Sequence, residues 1–318
     1  MLKNLFLFFL VATFLANSAL AESIQSVSVE TECQRIANKL ASIGYEECIA
    51  RQLSLSDGRS VKNAPLLLKE YPPLKKRTPL GKILVVGGIH GDEYASVSVV
   101  FKWMKTLDKY HSGLFHWQVI PLANPDGLLQ KKSTRLNANG VDLNRNFPSH
   151  NWDQYALDYW QQETKKNPRR YPGPKAVSEP ETQWLSKQIT RFQPDMIVSV
   201  HAPYGIIDYD GPNKGPSHLG HLPLKPLGTF PGSLGRYAGV DKNIPVVTIE
   251  LTYAGIMPSR QQISHIWVDL VRWLKINVPI QSQAKQAKQE KSGKEKPRKP
   301  SQPKQQIVET ANSNTNDG

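Results

Sequence analysis

The chain has 318 residues, a formal net charge of +13 and only two cysteines. That length can bury a hydrophobic core of its own, so a small scaffold held together by disulfides is excluded. The positive charge favours acidic partners such as cell-wall peptides, anionic lipids or polyanions. Nucleic acid is not expected as a partner, because the sequence contains no zinc-finger, RRM or KH pattern.

Residues 1–21 have the pattern of a secretory signal peptide. Lys3 precedes an apolar run from Leu5 to Leu15, and the small residues that follow end at Ala21, where cleavage is expected. The apolar run is shorter than the roughly 20 residues that a membrane-spanning helix needs. We therefore predict an exported protein with no stable membrane span, and an uncleaved N-terminal anchor is the alternative.

The two cysteines, Cys33 and Cys48, follow the signal in a short helix-like stretch. In an oxidising compartment they could form one local disulfide, and two buried free thiols are the alternative. A zinc site built from cysteines is not expected.

Residues 22–280 are predicted to form one domain in which strands and helices alternate. Four short runs are rich in Val and Ile, as strands buried on both faces are: "KILVVGG", "HWQVIPLA", "DMIVSVHA" and "PVVTIELT". Three longer segments space their apolar residues as helices do: "EYASVSVVFKWMKTL", "SEPETQWLSKQITRF" and "SRQQISHIWVDLVRWLKI". The alternation predicts an α/β fold, with a mixed, largely parallel β-sheet covered by helices on both faces.

Residues 281–318 differ from the rest of the chain in composition. They are rich in Gln, Lys, Ser and Pro, and their net charge is +4. Such a segment buries too little apolar surface to offset its ordering entropy, which predicts a disordered basic tail. The tail could contact anionic surfaces, and an inert solvated extension is the alternative.

Polar side chains stand at the ends of the predicted strands. His90 and Glu93 follow the first strand, and His201 ends the third. Ligands of open α/β sheets collect at the carboxyl ends of strands. Two His and one carboxylate form a common catalytic zinc site that leaves one position for water. The three residues therefore predict a zinc centre, although His-x-x-Glu spacing also occurs on solvated surfaces.

Two further segments carry candidate chemistry. In "STRLNANGVDLNRNFP", Arg135, Asn144 and Arg145 could hold oxygen anions, and a solvated loop is the alternative. Glu250 ends an otherwise apolar strand, where an ionised carboxylate is costly to bury. A salt bridge to a neighbouring cation would account for Glu250 equally well.

Taken together, these segments resemble the signatures of the zinc carboxypeptidases. "GGIHGDE", "RLNANGVDLNRNF", "VSVHAP" and "VTIEL" occur in the family's order, and the resemblance runs from about Gly58 to Ile276. Within the family, "NPDG", "IDYDGP" and "PGSLGRYAG" are most similar to the bacterial murein peptide amidases. Those enzymes cut between γ-D-glutamate and meso-diaminopimelate in cell-wall peptides.

The resemblance implies a role for each residue of the zinc centre. His90, Glu93 and His201 would bind zinc. Glu250 would be the general base, and Arg135 would stabilise the oxyanion with the metal.

The resemblance also implies contacts around this centre. Asp142 would accept a hydrogen bond from His90. Asn144 and Arg145 would bind the free carboxylate of the leaving residue. The mobile tyrosine of the digestive enzymes has no secure match. Tyr237 is the nearest candidate, and Tyr204 and Tyr253 compete with it.

The resemblance does not assign the specificity pocket. Asp208, Asp210 and Arg236 could meet the second amine and carboxylate of diaminopimelate, and ordinary loop charges are the alternative.

The expected function is a periplasmic zinc carboxypeptidase that hydrolyses a terminal amide bond in murein peptides. A small-molecule deacylase of the aspartoacylase or desuccinylase type is the alternative, because those enzymes share an "HGDE"-like turn. Export and the segment "GVDLNRNFP" oppose it. A cell-wall-binding scaffold without catalysis is the third hypothesis.

Overall fold

The computed structural model of the chain describes residues 28–294, with side chains as far as residue 279. The predicted signal peptide lies outside the described residues, as do residues 295–318 of the predicted tail. The chain divides into two compact units, residues 1–282 and 283–318, and all the described strands belong to the first.

Nine strands and seven α-helices are found in the described part of the chain. The strands are β1 Ser54–Arg59, β2 Pro65–Tyr71, β3 Lys82–Gly87, β4 His116–Ile120, β5 Met196–His201, β6 Ile206–Asp210, β7 His218–Leu219, β8 Leu222–Pro223 and β9 Val246–Glu250. The helices are α1 Val29–Lys39, α2 Tyr45–Ile49, α3 Tyr94–Tyr110, α4 Pro125–Leu129, α5 Trp152–Gln162, α6 Pro180–Phe192 and α7 Arg260–Lys294. Shorter segments are the 3-10 turns Leu143–Arg145 and Pro168–Arg170 and the π-helix Gly235–Asp241.

Seven strands form one mixed sheet in the order β1-β2-β4-β3-β5-β9-β6. The four central strands, β4, β3, β5 and β9, run parallel, whereas β1, β2 and β6 are antiparallel to their neighbours. Strands β7 and β8 form a separate two-stranded sheet. Because the central strands are parallel, their carboxyl ends meet at one edge of the sheet.

Helices cover both faces of this sheet, as alternating side chains of β3 illustrate. Ile83 and Val85 belong to one apolar core, which includes residues of α1, α3 and α7. Leu84 and Val86 belong to a second core, on the opposite face, which includes residues of α6 and the π-helix. A strand with buried side chains on both faces requires the continuous apolar run that the sequence shows. The predicted α/β fold with two covered faces is confirmed.

The four predicted strands correspond to β3, β4, β5 and β9, and the three predicted helices to α3, α6 and α7. The edge strands were not predicted. β6 has the sequence IIDYD and β1 has SLSDGR, so neither has the apolar run of a buried strand. Both pair with a neighbouring strand, which supplies hydrogen-bond partners for their backbones.

Two features concern the segments outside the sheet. Cys33 and Cys48 form a disulfide between α1 and α2, which decides between the two alternatives left open by the sequence. Helix α7 continues through residues 281–294, where the composition predicted disorder. The Ala, Gln, Lys and Glu residues of this stretch have high intrinsic helix propensity, which accounts for the difference. No helix in the described part of the chain is long and apolar enough to span a bilayer.

Candidate active site

Three neighbouring strands bring the predicted zinc-site residues to one edge of the sheet. The turn after β3 carries His90, and Glu93 is the residue before α3. His201 ends β5 and Glu250 ends β9, and these two residues are partners in the register of the two strands. All four are buried. His90, Glu93 and Glu250 line a cavity of about 450 Å³.

The turn that carries His90 depends on close backbone packing. A Cβ atom at Gly91 would overlap the backbone of Gly127 and Leu128 in α4. Glycine therefore lets the turn lie directly on this helix. In this turn His90 and Glu93, which are three residues apart in the sequence, both line the cavity.

The two histidines and Glu93 point their donor atoms at a common position. His90 Nδ1 lies 2.7 Å from Glu93 Oε1, and His201 Nδ1 lies 3.1 Å from Glu93 Oε2. The two Nδ1 atoms are 3.1 Å apart. Among the described residues, these three form the one cluster of His, Cys, Asp and Glu compact enough to hold a metal ion.

This donor set fits zinc. A tetrahedral zinc with bonds of about 2.0–2.2 Å has ligand atoms roughly 3.3–3.6 Å apart, so small side-chain rotations would open the observed triangle to that size. Two ring nitrogens 3.1 Å apart cannot both carry protons, and a cation between them satisfies both lone pairs. Burial alone would raise the pKa of Glu93, but His90 and His201 hold it well below its usual value.

The remaining histidine nitrogens have partners that fix the rings. His90 Nε2 lies 3.1 Å from Asp142 Oδ1, which is the contact that the resemblance implied. His201 Nε2 lies 2.9 Å from Ser199 Oγ. Hydrogen bonds of this kind orient metal-binding histidines and select the tautomer that leaves Nδ1 free for the metal.

Arg135 lies beside the metal cluster and is held there by Asp142. Its Nε and Nη2 atoms both lie 3.0 Å from Asp142 Oδ2, and Nη1 lies 3.6 Å from Glu93 Oε1. Burial would raise the pKa of Asp142, but Arg135 and His90 hold it well below its usual value. Asp142 therefore orients a metal-site histidine and a cavity cation at the same time.

Asn144 and Arg145 line the cavity next to Arg135. Asn144 Oδ1 accepts a hydrogen bond from the backbone nitrogen of Leu234 at 2.8 Å, which leaves its amide NH₂ as a donor. Arg145 Nε is buried without a hydrogen-bond partner, and the guanidinium lies 4.4 Å from the centre of the Phe230 ring. Burial lowers the pKa of Arg145 to about 10, so the side chain is still a cation at neutral pH.

Glu250 has no salt bridge among the described residues. Its Oε2 atom is buried and has no hydrogen-bond partner, and the side chain lines the cavity. Burial raises its pKa. The structure therefore does not support the simpler explanation of this residue as half of a structural ion pair.

Tyr237, predicted from the sequence as a substrate contact, points away from the cavity. The residue is 5% exposed, it stacks on Phe147 with 5.8 Å between ring centres, and it does not line the cavity. The π-helix turns this side chain into the core, which contradicts the predicted substrate contact. Of the two competing tyrosines, Tyr204 lines the cavity and is 57% exposed, whereas Tyr253 does not line it.

Several lining residues carried no sequence signal of their own. Phe230 and Arg170 come from connecting segments, and Thr248 lies within an apolar strand. Their residue types are common in loops and strands, so only their position identifies them. The period-2 alternation of β9 places Thr248 on the same face as Glu250, which is the one signal that could have found it.

Comparison with known proteins agrees with this geometry. The model of the zinc carboxypeptidase family matches residues 53–217. Murein peptide amidase A of Escherichia coli K12 is 33% identical over 223 residues, which cover 68% of this chain and 88% of the relative. Murein peptide amidase A of Vibrio campbellii is 32% identical over 203 residues, which cover 62% of this chain and 78% of the relative.

One solved structure supports the fold at lower sequence identity. It is bovine thrombin-activatable fibrinolysis inhibitor in complex with tick carboxypeptidase inhibitor. It has a TM-score of 0.53 and 17% identity, over 81% of this chain and 95% of that chain. The chain described here therefore belongs to the zinc carboxypeptidase family and is a hydrolase.

Proposed function

We propose that this protein is an exported zinc carboxypeptidase that hydrolyses a terminal amide bond in cell-wall peptides, between γ-D-glutamate and meso-diaminopimelate. The observation that carries the proposal is that three kinds of functional group come together at one cavity. A buried His-Glu-His cluster, an unpaired buried carboxylate and an incompletely paired buried arginine all face the same space. The likeness to the murein peptide amidases supports the choice of substrate.

His90, Glu93 and His201 would hold the zinc. When bound, zinc supplies a Lewis acid that polarises a carbonyl and lowers the pKa of bound water to about 7. Glu250, the unpaired carboxylate, would accept a proton from the attacking water and return it to the nitrogen of the leaving residue.

The cations of the cavity have separate tasks in this proposal. Arg135 would donate hydrogen bonds to the negative charge that develops on the carbonyl oxygen, since Asp142 already fixes its guanidinium. Arg145 and Asn144 would bind the free carboxylate of the leaving residue. A buried cation with an unused donor favours a carboxylate over a neutral chain, which restricts cleavage to a terminal residue.

Export is the second part of the proposal. The signal-like residues 1–21 and the Cys33–Cys48 disulfide both suit an oxidising compartment such as the periplasm. Cell-wall peptides are accessible there. The substrate would therefore be a peptide, with no nucleic acid involved.

A defined set of muropeptides tests the proposal directly. The zinc-loaded protein should release diaminopimelate from γ-D-glutamyl-meso-diaminopimelate peptides, and mass spectrometry should identify both products. A chelator should abolish the release, and added zinc should restore it. Release of acyl groups from small amino acids, with no action on any muropeptide, would favour the deacylase alternative.

A further inference from the structure

The far end of the cavity carries two carboxylates that the proposed reaction does not use. Asp208 and Asp210 are two residues apart on β6, so they project to the same face, and both line the cavity. In the register with β9, Ile206 pairs with Glu250 and Asp208 pairs with Thr248. With a rise of about 3.3 Å per residue, Asp208 and Asp210 lie roughly 7 and 13 Å along the strand from the level of Glu250.

The two carboxylates differ in how their oxygens are used. Asp208 Oδ1 accepts hydrogen bonds from the backbone nitrogens of Tyr209 at 2.8 Å and Leu227 at 3.1 Å. Among the described residues, no hydrogen bond or ion pair holds the carboxylate of Asp210. Its pKa is raised to about 7 by burial and then by Asp208. A partly buried carboxylate without a partner is destabilising, so its position calls for a ligand.

The π-helix is built so that Asp210 keeps its place. A Cβ atom at Gly235 would overlap Asp210 Oδ2, so a side chain at this position would displace the carboxylate. The neighbouring cation on the same segment, Arg236, pairs instead with Asp241, at 3.3 Å, and does not line the cavity. The protein thus provides room for the Asp210 carboxylate and does not neutralise it.

Charge is distributed unequally along this cavity. It is also lined by Arg135, which lies beside the metal cluster, and by Arg145, Arg169 and Arg170, and these cations suit the carboxylate of a leaving residue. Asp208 and Asp210 suit a positive charge further along the same residue. A leaving residue whose carboxylate met the arginines and whose side chain met Asp208 and Asp210 would need a cation on that side chain.

We propose that Asp210, assisted by Asp208 and Thr248, selects a leaving residue that carries an ammonium group at the far end of its side chain, as both diaminopimelate and lysine do. The inference rests on the proposed peptidase function and adds the residues that read the side chain. An ammonium has three donors, which two carboxylates and one hydroxyl can accept. A calcium ion would need six to eight oxygen ligands, which is more than these three side chains offer.

Matched substrates test this preference. Three γ-D-glutamyl peptides would end in lysine, Nε-acetyl-lysine or norleucine, so that only the tip of the side chain changes. For the zinc-loaded protein, kcat/KM should be about tenfold to a hundredfold higher for lysine than for the two neutral residues, the range for a hydrogen bond to a charged group. Equal values for all three would overturn the proposal.

The variant Asp210→Asn keeps the size of the side chain and removes its charge. It should lose most of the lysine preference and leave kcat/KM for norleucine within about twofold. The control is Asp241→Asn, which removes a carboxylate from the π-helix outside the cavity and should keep the full preference. An equal loss on lysine and norleucine peptides in Asp210→Asn would show a structural role and overturn the proposal.

A binding measurement separates this inference from the proposed reaction. Calorimetry with free lysine and free norleucine, on the zinc-loaded protein, requires no turnover. Tighter binding of lysine that disappears in Asp210→Asn would support the ammonium site even if no γ-glutamyl peptide were cut, and the proposed function alone would then fail. Equal binding of both amino acids would overturn the ammonium site while leaving the proposed function intact.

Discussion

The carboxylates of this cavity and its walls fall into two groups that differ in how they are paired. At the metal end, Glu93 contacts two histidines and Asp142 contacts Arg135 and His90, and both pKa values are lowered. Glu250, beside the same cluster, and Asp210, farther along β6, lack such partners, and both pKa values are raised. Carboxylates of the first kind are already committed to holding other groups. Those of the second kind are available to a substrate.

Glu181, another carboxylate with a raised pKa, shows that a raised pKa alone does not mark a site. Glu181 in α6 is fully buried, and its pKa is raised to about 7, chiefly by burial. However, it lies outside the cavity, and its oxygens accept from Asn137 Nδ2 and from the backbone nitrogen of Val61. What distinguishes Glu250 and Asp210 is therefore the combination of a raised pKa, a missing partner and a cavity.

The largest effect is expected from removing one of the three residues of the His-Glu-His cluster. His90→Ala should lose zinc and activity together, because two of three ligands rarely retain the ion. The fold should remain, since the ligand stands at a strand end and adds little to the core. Metal content by elemental analysis and circular dichroism check this. Full zinc occupancy in the variant would contradict the ligand assignment.

A smaller effect is expected from changing the unpaired carboxylate of the same site. Glu250→Gln preserves size and removes the base, so turnover should fall at least about 100-fold. Zinc content should be unchanged, because Glu250 is not one of the three ligands. Measuring both quantities on one preparation separates metal binding from chemistry. Near-normal turnover would require another base.

The carboxylate clamp should contribute less again. Amidating the C-terminal residue of the substrate removes the charge that Arg145 would bind, which should cost about 2 kcal/mol, or roughly thirtyfold in kcat/KM. The free and amidated forms of one peptide provide the matched pair. Equal rates on the two forms would indicate cleavage within chains and not at their ends.

No loss of turnover is expected from Glu181→Gln, which should change stability only. The pKa of Glu181 is raised in the folded protein, so its contribution is fully present below pH 4.5 and is lost as pH rises toward about 7. The variant should lack this decline, which amounts to a few kcal/mol. Chemical unfolding of both proteins at pH 4.5 and pH 8 measures it. Identical pH slopes would argue against the raised pKa.

Deletion of residues 281–318 should affect neither end of the cavity. Zinc content, thermal stability and hydrolysis of small peptides should match those of the full chain. The tail's net charge of +4 should nevertheless increase co-sedimentation with isolated cell wall or anionic membrane at low salt, because salt screens such attraction. Identical sedimentation of both forms at every salt concentration would leave the tail without a targeting role.

The sequence by itself predicted the central sheet and the three residues of the compact His-Glu-His cluster. Val- and Ile-rich runs mark strands buried on both faces, and parallel strands must bring their carboxyl ends together, which predicts that His90 and His201 meet. These features are local patterns combined with one rule of topology. The order of the four family motifs added the roles expected of Glu250 and Arg145.

Only the tertiary structure decided which side chains face the cavity and which have partners. Tyr237 had the residue type of a substrate contact, but the π-helix turns it onto Phe147. Asp210 and Arg236 were equal candidates in the sequence. In the structure Asp210 is unpaired and lines the cavity, whereas Arg236 forms an ion pair with Asp241 outside it. The physical reason is that pairing and desolvation depend on long-range contacts between segments, which no local sequence pattern encodes.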